Sequence, residues 1–285
     1  MKILILGTTG MLGNAVFKQF SNDPQFDVWG TLRNASGRHF FPEPIQDKLV
    51  TNVDVLNQDA LIEVISKVCP DIVINCVGLV KQLSHVNDPL QALPLNAMLP
   101  HRLAKICELS DTRLVHFSTD CVFSGKKGMY TEGDVSDAED LYGKSKFMGE
   151  IHNVKNAITL RTSMIGHELV HHNVLIDWFL SQEGRVRGFS RAIFSGLPTV
   201  ELARIVKDFV LPNQGLSGLF HVSAKPINKF DLLNLVAEVY QKDIVLEMDE
   251  NLVIDRSLDS TLFEQATGYT APEWTDLIRL MHKFK

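Results

Sequence analysis

The chain has 285 residues, 45% of them hydrophobic and 22% charged. That balance belongs to a globular protein with one large domain or two intimate ones, and it excludes a disordered, collagen-like or coiled-coil chain. A formal net charge of −6 gives no global basic field for nucleic acid, so an anionic ligand has to be met by local groups. The apolar run Ile3-Leu4-Ile5-Leu6 is too short for a signal-peptide core, and no stretch approaches the ~20 apolar residues of a membrane span. Cys69, Cys76, Cys107 and Cys121 form no C-x-x-C pair, which removes the spacing of zinc and redox motifs. Reduced cysteines fit a cytoplasmic protein with no membrane or nucleic-acid partner.

Short apolar runs alternate with longer amphipathic stretches. The first strand is expected at 2–6, and Gly7-Thr8-Thr9-Gly10-Met11-Leu12-Gly13 follows it directly, opening a helix over 13–20. A pyrophosphate site needs this: one glycine for the tight turn, one for close backbone approach, one for helix–strand packing, with the helix N-terminus facing the phosphates. Gly7, Thr9, Gly10, Met11, Leu12 and Gly13 are therefore cofactor candidates. The second strand, 27–32, ends at Arg33. An acid there would take the ribose 2′-hydroxyl of NAD; an arginine pairs with a 2′-phosphate, which favours NADPH with NADH as the alternative. A solvated surface arginine is the plain reading of the same residue.

A third strand at 49–54 places Asp54 and Val55 where the adenine would lie. A helix over 58–68 is opened by Asn57 and stopped by Pro70. The fourth strand, 71–77, delivers Cys76, Val77 and Gly78 to the cofactor ribose, with Gly78 small enough for close approach. A helix spans 93–109, and a fifth strand, 113–118, ends in Ser118 and Thr119, whose hydroxyls suit either a substrate carbonyl or a turn. In the helix over 142–152, Tyr142 and Lys146 are four apart and share a face. Ketone reduction needs a proton donor; a free phenol, pKa about 10, is sluggish at neutral pH, and a nearby ammonium lowers it. A sixth strand covers 157–161. Beyond it come helices at 169–181, 199–209 and 229–241, strands at 184–189 and 218–222, and a last unit through 255–267 to 274–284.

This pattern predicts an α/β, Rossmann-type doubly wound parallel sheet with a smaller, interleaved C-terminal substrate lobe. The dinucleotide domain is expected over 1–167, with 193–225 returning to it, and the substrate lobe over 168–192 and 226–285. Arg185, Arg187 and Arg191 could pair with a diphosphate or form a solvated basic stretch, and Arg256 is a similar case. His171-His172 point about 100° apart on a helix, a poor metal clamp.

The glycine turn, Asp54, Ser118-Thr119-Asp120 with Val122-Phe123, and Tyr142 with Lys146 resemble the extended short-chain dehydrogenase/reductases. The order of Ser118-Thr119-Asp120-Cys121-Val122-Phe123, Tyr142-Gly143-Lys144-Ser145-Lys146, Arg161-Thr162-Ser163 and Gly196-Leu197-Pro198-Thr199 resembles the dTDP-4-dehydrorhamnose reductase branch. Arg256-Ser257-Leu258-Asp259 and Ala266-Thr267-Gly268 extend the resemblance over essentially the whole chain. It implies Tyr142 as proton donor, Lys146 as the residue that tunes it and holds the nicotinamide ribose, and Thr119 on the 4-keto oxygen of a nucleotide-linked 6-deoxyhexose made for surface polysaccharide. A monomer or homodimer is expected, and no metal, since the acidic residues of the metal-linked dimer of some relatives have no counterpart placed in this chain.

Three departures fall where the sugar should lie: Cys121 where the family often has tyrosine, Met164 where it often has tryptophan, and Leu79-Val80-Lys81-Gln82 in place of the usual stretch. Lys81, Cys121 and Met164, with Arg187 and Arg191, are thus the substrate candidates, and the slimmer Cys121 and flexible Met164 admit another sugar, such as an N-acetylated one. An epimerase of the same fold and a non-catalytic NADP-binding regulatory subunit are the alternatives. Dehydration is disfavoured because Cys121 replaces the glutamate of a T-D-E triplet.

Overall fold

The computed structural model describes residues 1–79, 84–170 and 174–285. Strand β1 (Lys2–Leu6) turns Ile3 and Ile5 into one apolar core and Leu4 and Leu6 into another. A strand buried on both faces requires helices on both sides, and hence parallel neighbours. β1 is flanked by β2 (Asp27–Thr31), followed by β3 (Leu49–Val50), and on its other side by β4 (Ile72–Asn75), β5 (Arg113–Thr119) and β6 (Ala157–Thr162). The strand Gly218–His221 adds the seventh position beside β6. All six pairings are parallel. The direction of strand succession reverses between β1 and β4, which opens a crevice at their carboxyl ends.

Local chemistry sets most boundaries. The helix Gln58–Val68 forms as expected: Asn57 caps it by accepting from the amides of Asp59 and Ala60, and Cys69 ends it in a left-handed conformation, φ 47°, before Pro70. The third strand is only two residues long rather than 49–54, because Asn52 is left-handed, φ 62°, and breaks the extension. The stretch 93–109 is not one regular helix. A π-helical turn, Leu93–Met98, precedes the α-helix Leu99–Leu109. Pro94 and Pro100 each lack an N–H and crowd the carbonyl four residues back, and the wider turn absorbs both. The helix expected over 142–152 is Leu141–Met148 and stops at Gly149, where a Cβ would lie 1.9 Å from the carbonyl oxygen of Asn96.

The remaining elements are smaller. Arg185–Phe189 pairs in parallel with Val245–Asp249, and Ala192–Phe194 lies between Ile227–Asn228 and Ile254–Asp255. The helices Lys229–Tyr240 and Trp274–Phe284 pack against one another. The helix expected over 169–181 is Leu175–Ser181 among the described residues. No helix among the described residues is long and apolar enough to cross a membrane.

Candidate active site

The glycine turn sits at the carboxyl end of β1, and each glycine answers a steric demand. Gly7 is left-handed, φ 83°. A Cβ on Gly13 would come within 2.1 Å of the Gly7 carbonyl oxygen, so helix α1 (Met11–Ser21) can approach the strand only without one. Thr8 and Thr31 clamp the turn onto β2: the Thr8 hydroxyl donates to the Thr31 carbonyl at 3.0 Å, and the Gly7 amide donates to the Thr31 hydroxyl at 3.2 Å. Gly10 caps α1 with no side chain of its own, so the first-turn amides around Met11 and Leu12 are presented to a ligand oxygen. Met11 also touches the small element after β6: a Cβ on Gly166 would lie 3.2 Å from its sulfur. These residues fit a dinucleotide.

Arg33 is exposed just beyond β2, and the turn Ala35–Phe40 folds back on the glycine loop, with Gly37 packed against Thr9. Asp54 is exposed and accepts from the amide of Leu56 at 3.0 Å, while Val55 is half-buried. At the end of β4, Asn75 is buried and accepts from the amide of Val77 at 3.1 Å. Cys76 and Val77 are half-buried, and burial pushes the Cys76 thiol far up. Gly78 lies close to the Leu141–Met148 helix: a Cβ there would meet Asn96 Oδ1 at 3.2 Å and Lys146 Nζ at 3.8 Å.

Lys146 is buried and donates to the carbonyl of Phe117, on β5, at 2.7 Å. Burial pulls its pKa down to about 8, against the opposing charge of Glu150. One turn earlier, the Tyr142 phenol is pushed well above its ordinary value by burial first and by Cys121 and Asp120 next, while the neighbouring Thr119 hydroxyl works the other way. Thr119, 7% exposed, donates to Asp120 Oδ1 at 3.1 Å and accepts from the Cys121 amide at 3.2 Å. β5 and the Leu141–Met148 helix thus bring Thr119, Tyr142 and Lys146 to the crevice. Asp140 caps that helix through the Gly143 amide, 2.8 Å.

Other expectations land differently. The Ser118 hydroxyl points inward and donates to Glu150 Oε1 at 2.6 Å, so it is not available to a substrate carbonyl. Strand alternation puts it opposite Thr119. Lys81 and His171-His172 lie outside the described residues. Met164 is half-buried and packs partly on the main core, in the short strand Met164–Ile165. Arg187 is exposed and stands 4.0 Å from Asp249, and Arg191 is exposed as well. Neither pairs with the Tyr142 group among the described residues.

Two sets of residues were missed. Asn96 ties the parts together, accepting from the Leu79 amide at 2.9 Å and donating to the Ser145 hydroxyl at 3.2 Å. Glu150 and Arg161 form a buried bidentate pair at 2.6–2.8 Å, continued to His221 Nε2 at 2.8 Å. Arg161, a charge inside a strand buried along its whole length, was the available signal for the second, since such a charge needs a buried partner.

Residues 1–275 match the model of a family described as the RmlD substrate binding domain. Methionine adenosyltransferase 2 subunit beta from Danio rerio is 29% identical over 251 residues, covering 84% of this chain and 74% of that protein. A probable low-salt glycan biosynthesis reductase from Haloferax volcanii is 26% identical over 258 residues, covering 86% and 82%. Among solved structures, a dTDP-4-dehydrorhamnose reductase from Bacillus anthracis in complex with NADP has a TM-score of 0.80 at 19% identity, covering 99% of this chain and 98% of that one. One from Clostridium acetobutylicum has a TM-score of 0.81 at 23% identity, covering 99% of both. At these identities the structures share the fold.

Proposed function

The chain belongs to the RmlD substrate binding domain family, and from that premise we propose that it reduces the 4-keto group of a nucleotide-linked deoxyhexose with NADPH, in the cytoplasm, for surface-polysaccharide synthesis. The observation that carries this reading is the convergence of Thr119, Tyr142 and Lys146 beside Gly78 and the glycine turn. The NADP complex of the Bacillus anthracis protein and the reductase description of the Haloferax volcanii protein support it.

A bound nicotinamide supplies the hydride. Gly7, Gly10 and Gly13 would let a pyrophosphate reach the α1 amides, Arg33 would meet a 2′-phosphate, Asp54 and Val55 would face the adenine, and Cys76, Val77 and Gly78 would border the ribose. Thr119, whose hydroxyl proton rests on Asp120 Oδ1 at 3.1 Å, turns it to the ketone oxygen. The phenol of Tyr142, which burial keeps protonated at neutral pH, delivers its proton to the forming alkoxide. Lys146 contributes a positive charge beside the developing anion and a donor for the ribose. The sugar and its diphosphate lie against Cys121 and Met164, with Arg187 and Arg191 toward the nucleotide. Residues 1–167 and 193–225 hold the cofactor; 168–192 and 226–285 hold the substrate.

The test is NADPH oxidation, followed by absorbance, against a panel of dTDP- and UDP-linked 4-keto sugars. Turnover with at least one member is expected, and none with any member contradicts the reading. A second reading, a non-catalytic dinucleotide-binding subunit, is favoured by the similarity to methionine adenosyltransferase 2 subunit beta. It predicts NADP binding with no turnover.

A further inference from the structure

Arg256 reaches the Tyr142 group from far along the chain. Its Nε donates to the carbonyl of Phe123 at 2.8 Å, and its Nη1 is directed at Cys121 Sγ, 3.6 Å away. The backbone on both sides is tied down: the Asp255 amide donates to the Gly125 carbonyl at 2.8 Å and the Tyr130 amide to the Ser257 carbonyl at 2.9 Å. The guanidinium is therefore a half-buried, fixed donor. Cys121 links the catalytic elements, since its amide donates to Thr119 and its carbonyl packs so tightly on Gly143 that a Cβ there would lie 2.2 Å from it.

A thiol is a weak acceptor, so a guanidinium N–H directed at sulfur gains by exchanging it for an oxygen. Asp120 decides which oxygen. It is buried, 7% exposed, and burial raises its pKa against the opposing charge of Arg256. A ligand carboxylate or phosphate at Arg256 would face that carboxylate, whereas an uncharged carbonyl would not.

We infer that Arg256 and Cys121 form a subsite for an uncharged carbonyl on the sugar ring, that of an N-acyl group, beside the carbon that Thr119 and Tyr142 attend. The inference rests on the proposed reduction of a nucleotide-linked keto sugar and narrows its substrate to N-acylated sugars.

Equilibrium binding tests it without turnover. UDP-N-acetylglucosamine, UDP-glucose and UDP, and the dTDP counterparts, are titrated into the NADP-loaded protein by calorimetry, and the tighter-binding base is used. The acetamido sugar should bind about tenfold more tightly than its hydroxyl counterpart, the worth of one hydrogen bond to a charged donor. Arg256→Met should erase that ratio and leave the affinity for the free nucleotide within about twofold. Arg256→Lys, which keeps the charge but not the fork, should retain part of it, and NADP binding by both variants verifies their fold. Equal binding of the two sugars by the wild type, or binding of neither, overturns the inference. So does a parallel loss of free nucleotide in Arg256→Met, which would make Arg256 a diphosphate ligand. A protein that shows the binding ratio but no turnover would sink the reductase reading alone.

Discussion

Lys146 gives its ammonium to the carbonyl oxygen of Phe117, 2.7 Å away on the strand that ends at Thr119. That single carbonyl does not make up for lost hydration, and the pKa falls to about 8. Tyr142, one turn away, is shifted the opposite way by the same burial. At neutral pH both groups hold their protons, the phenol as an acid and the ammonium as a fixed charge.

Raising the pH through about 8 should therefore remove the ammonium while the phenol stays intact. NADPH affinity, read by fluorescence titration between about pH 6 and 9.5, should weaken on the alkaline side. Lys146→Met should bind more weakly throughout and lose that pH dependence. The folded pKa lies below that of an unfolded lysine, so the unfolded chain binds more protons between about pH 8 and 10.5 and stability rises across that window. Lys146→Met should consequently raise the melting temperature at pH 7. A wild type whose affinity is flat to pH 9.5 would contradict this account of Lys146.

Arg33 stands exposed beyond β2. NADPH should bind more tightly than NADH, and Arg33→Asp should erase or reverse the preference. A wild type favouring NADH tenfold, about 1.4 kcal/mol the other way, removes the 2′-phosphate argument.

His221 is locked between Arg161 and the carbonyl of Tyr130, and burial with the Arg161 charge brings its pKa down to about 4. An unfolded histidine titrates near 6.5, so the unfolded chain takes up the proton first and stability falls as pH drops from about 6.5 to 4. The loss from this residue is on the order of 3 kcal/mol. Urea denaturation at pH 7, 6, 5 and 4 reads it directly, and His221→Gln should flatten the slope.

A methyl group on Gly13 would meet backbone, 2.1 Å from the Gly7 oxygen and 3.2 Å from Thr8 Cα, with nothing able to swing aside. Gly13→Ala should lower the melting temperature and weaken NADPH binding at least about tenfold. Gly133→Ala, whose new Cβ would have its nearest neighbour 4.0 Å away, is the control and should change neither.

The sheet was legible because β1 and β4 are apolar on both faces, a pattern that a covered parallel strand needs. The glycine turn and the Tyr142–Lys146 spacing were legible because their geometry is local. Leu49–Val50 and the other two- and three-residue strands are shorter than any periodicity can report. The π-helical turn follows from the spacing of Pro94 and Pro100 but was read as regular helix. The sequence left the Ser118 hydroxyl open between a substrate carbonyl and a turn, because its partner, Glu150, lies 32 residues on. Arg256 meets Cys121 across 135 residues, a proximity that no local spacing encodes.

The central claim is that the Tyr142 phenol delivers the proton. Tyr142→Phe removes one hydroxyl and should leave NADPH affinity within about twofold, while the steady-state rate of keto-sugar reduction falls by roughly 10²–10⁴. Thr119→Val should cost less, on the order of 2–4 kcal/mol at most. The decisive measurement is kcat for Tyr142→Phe beside wild type at pH 7 with saturating NADPH: a loss of that size supports the account, and reduction at the full wild-type rate contradicts it.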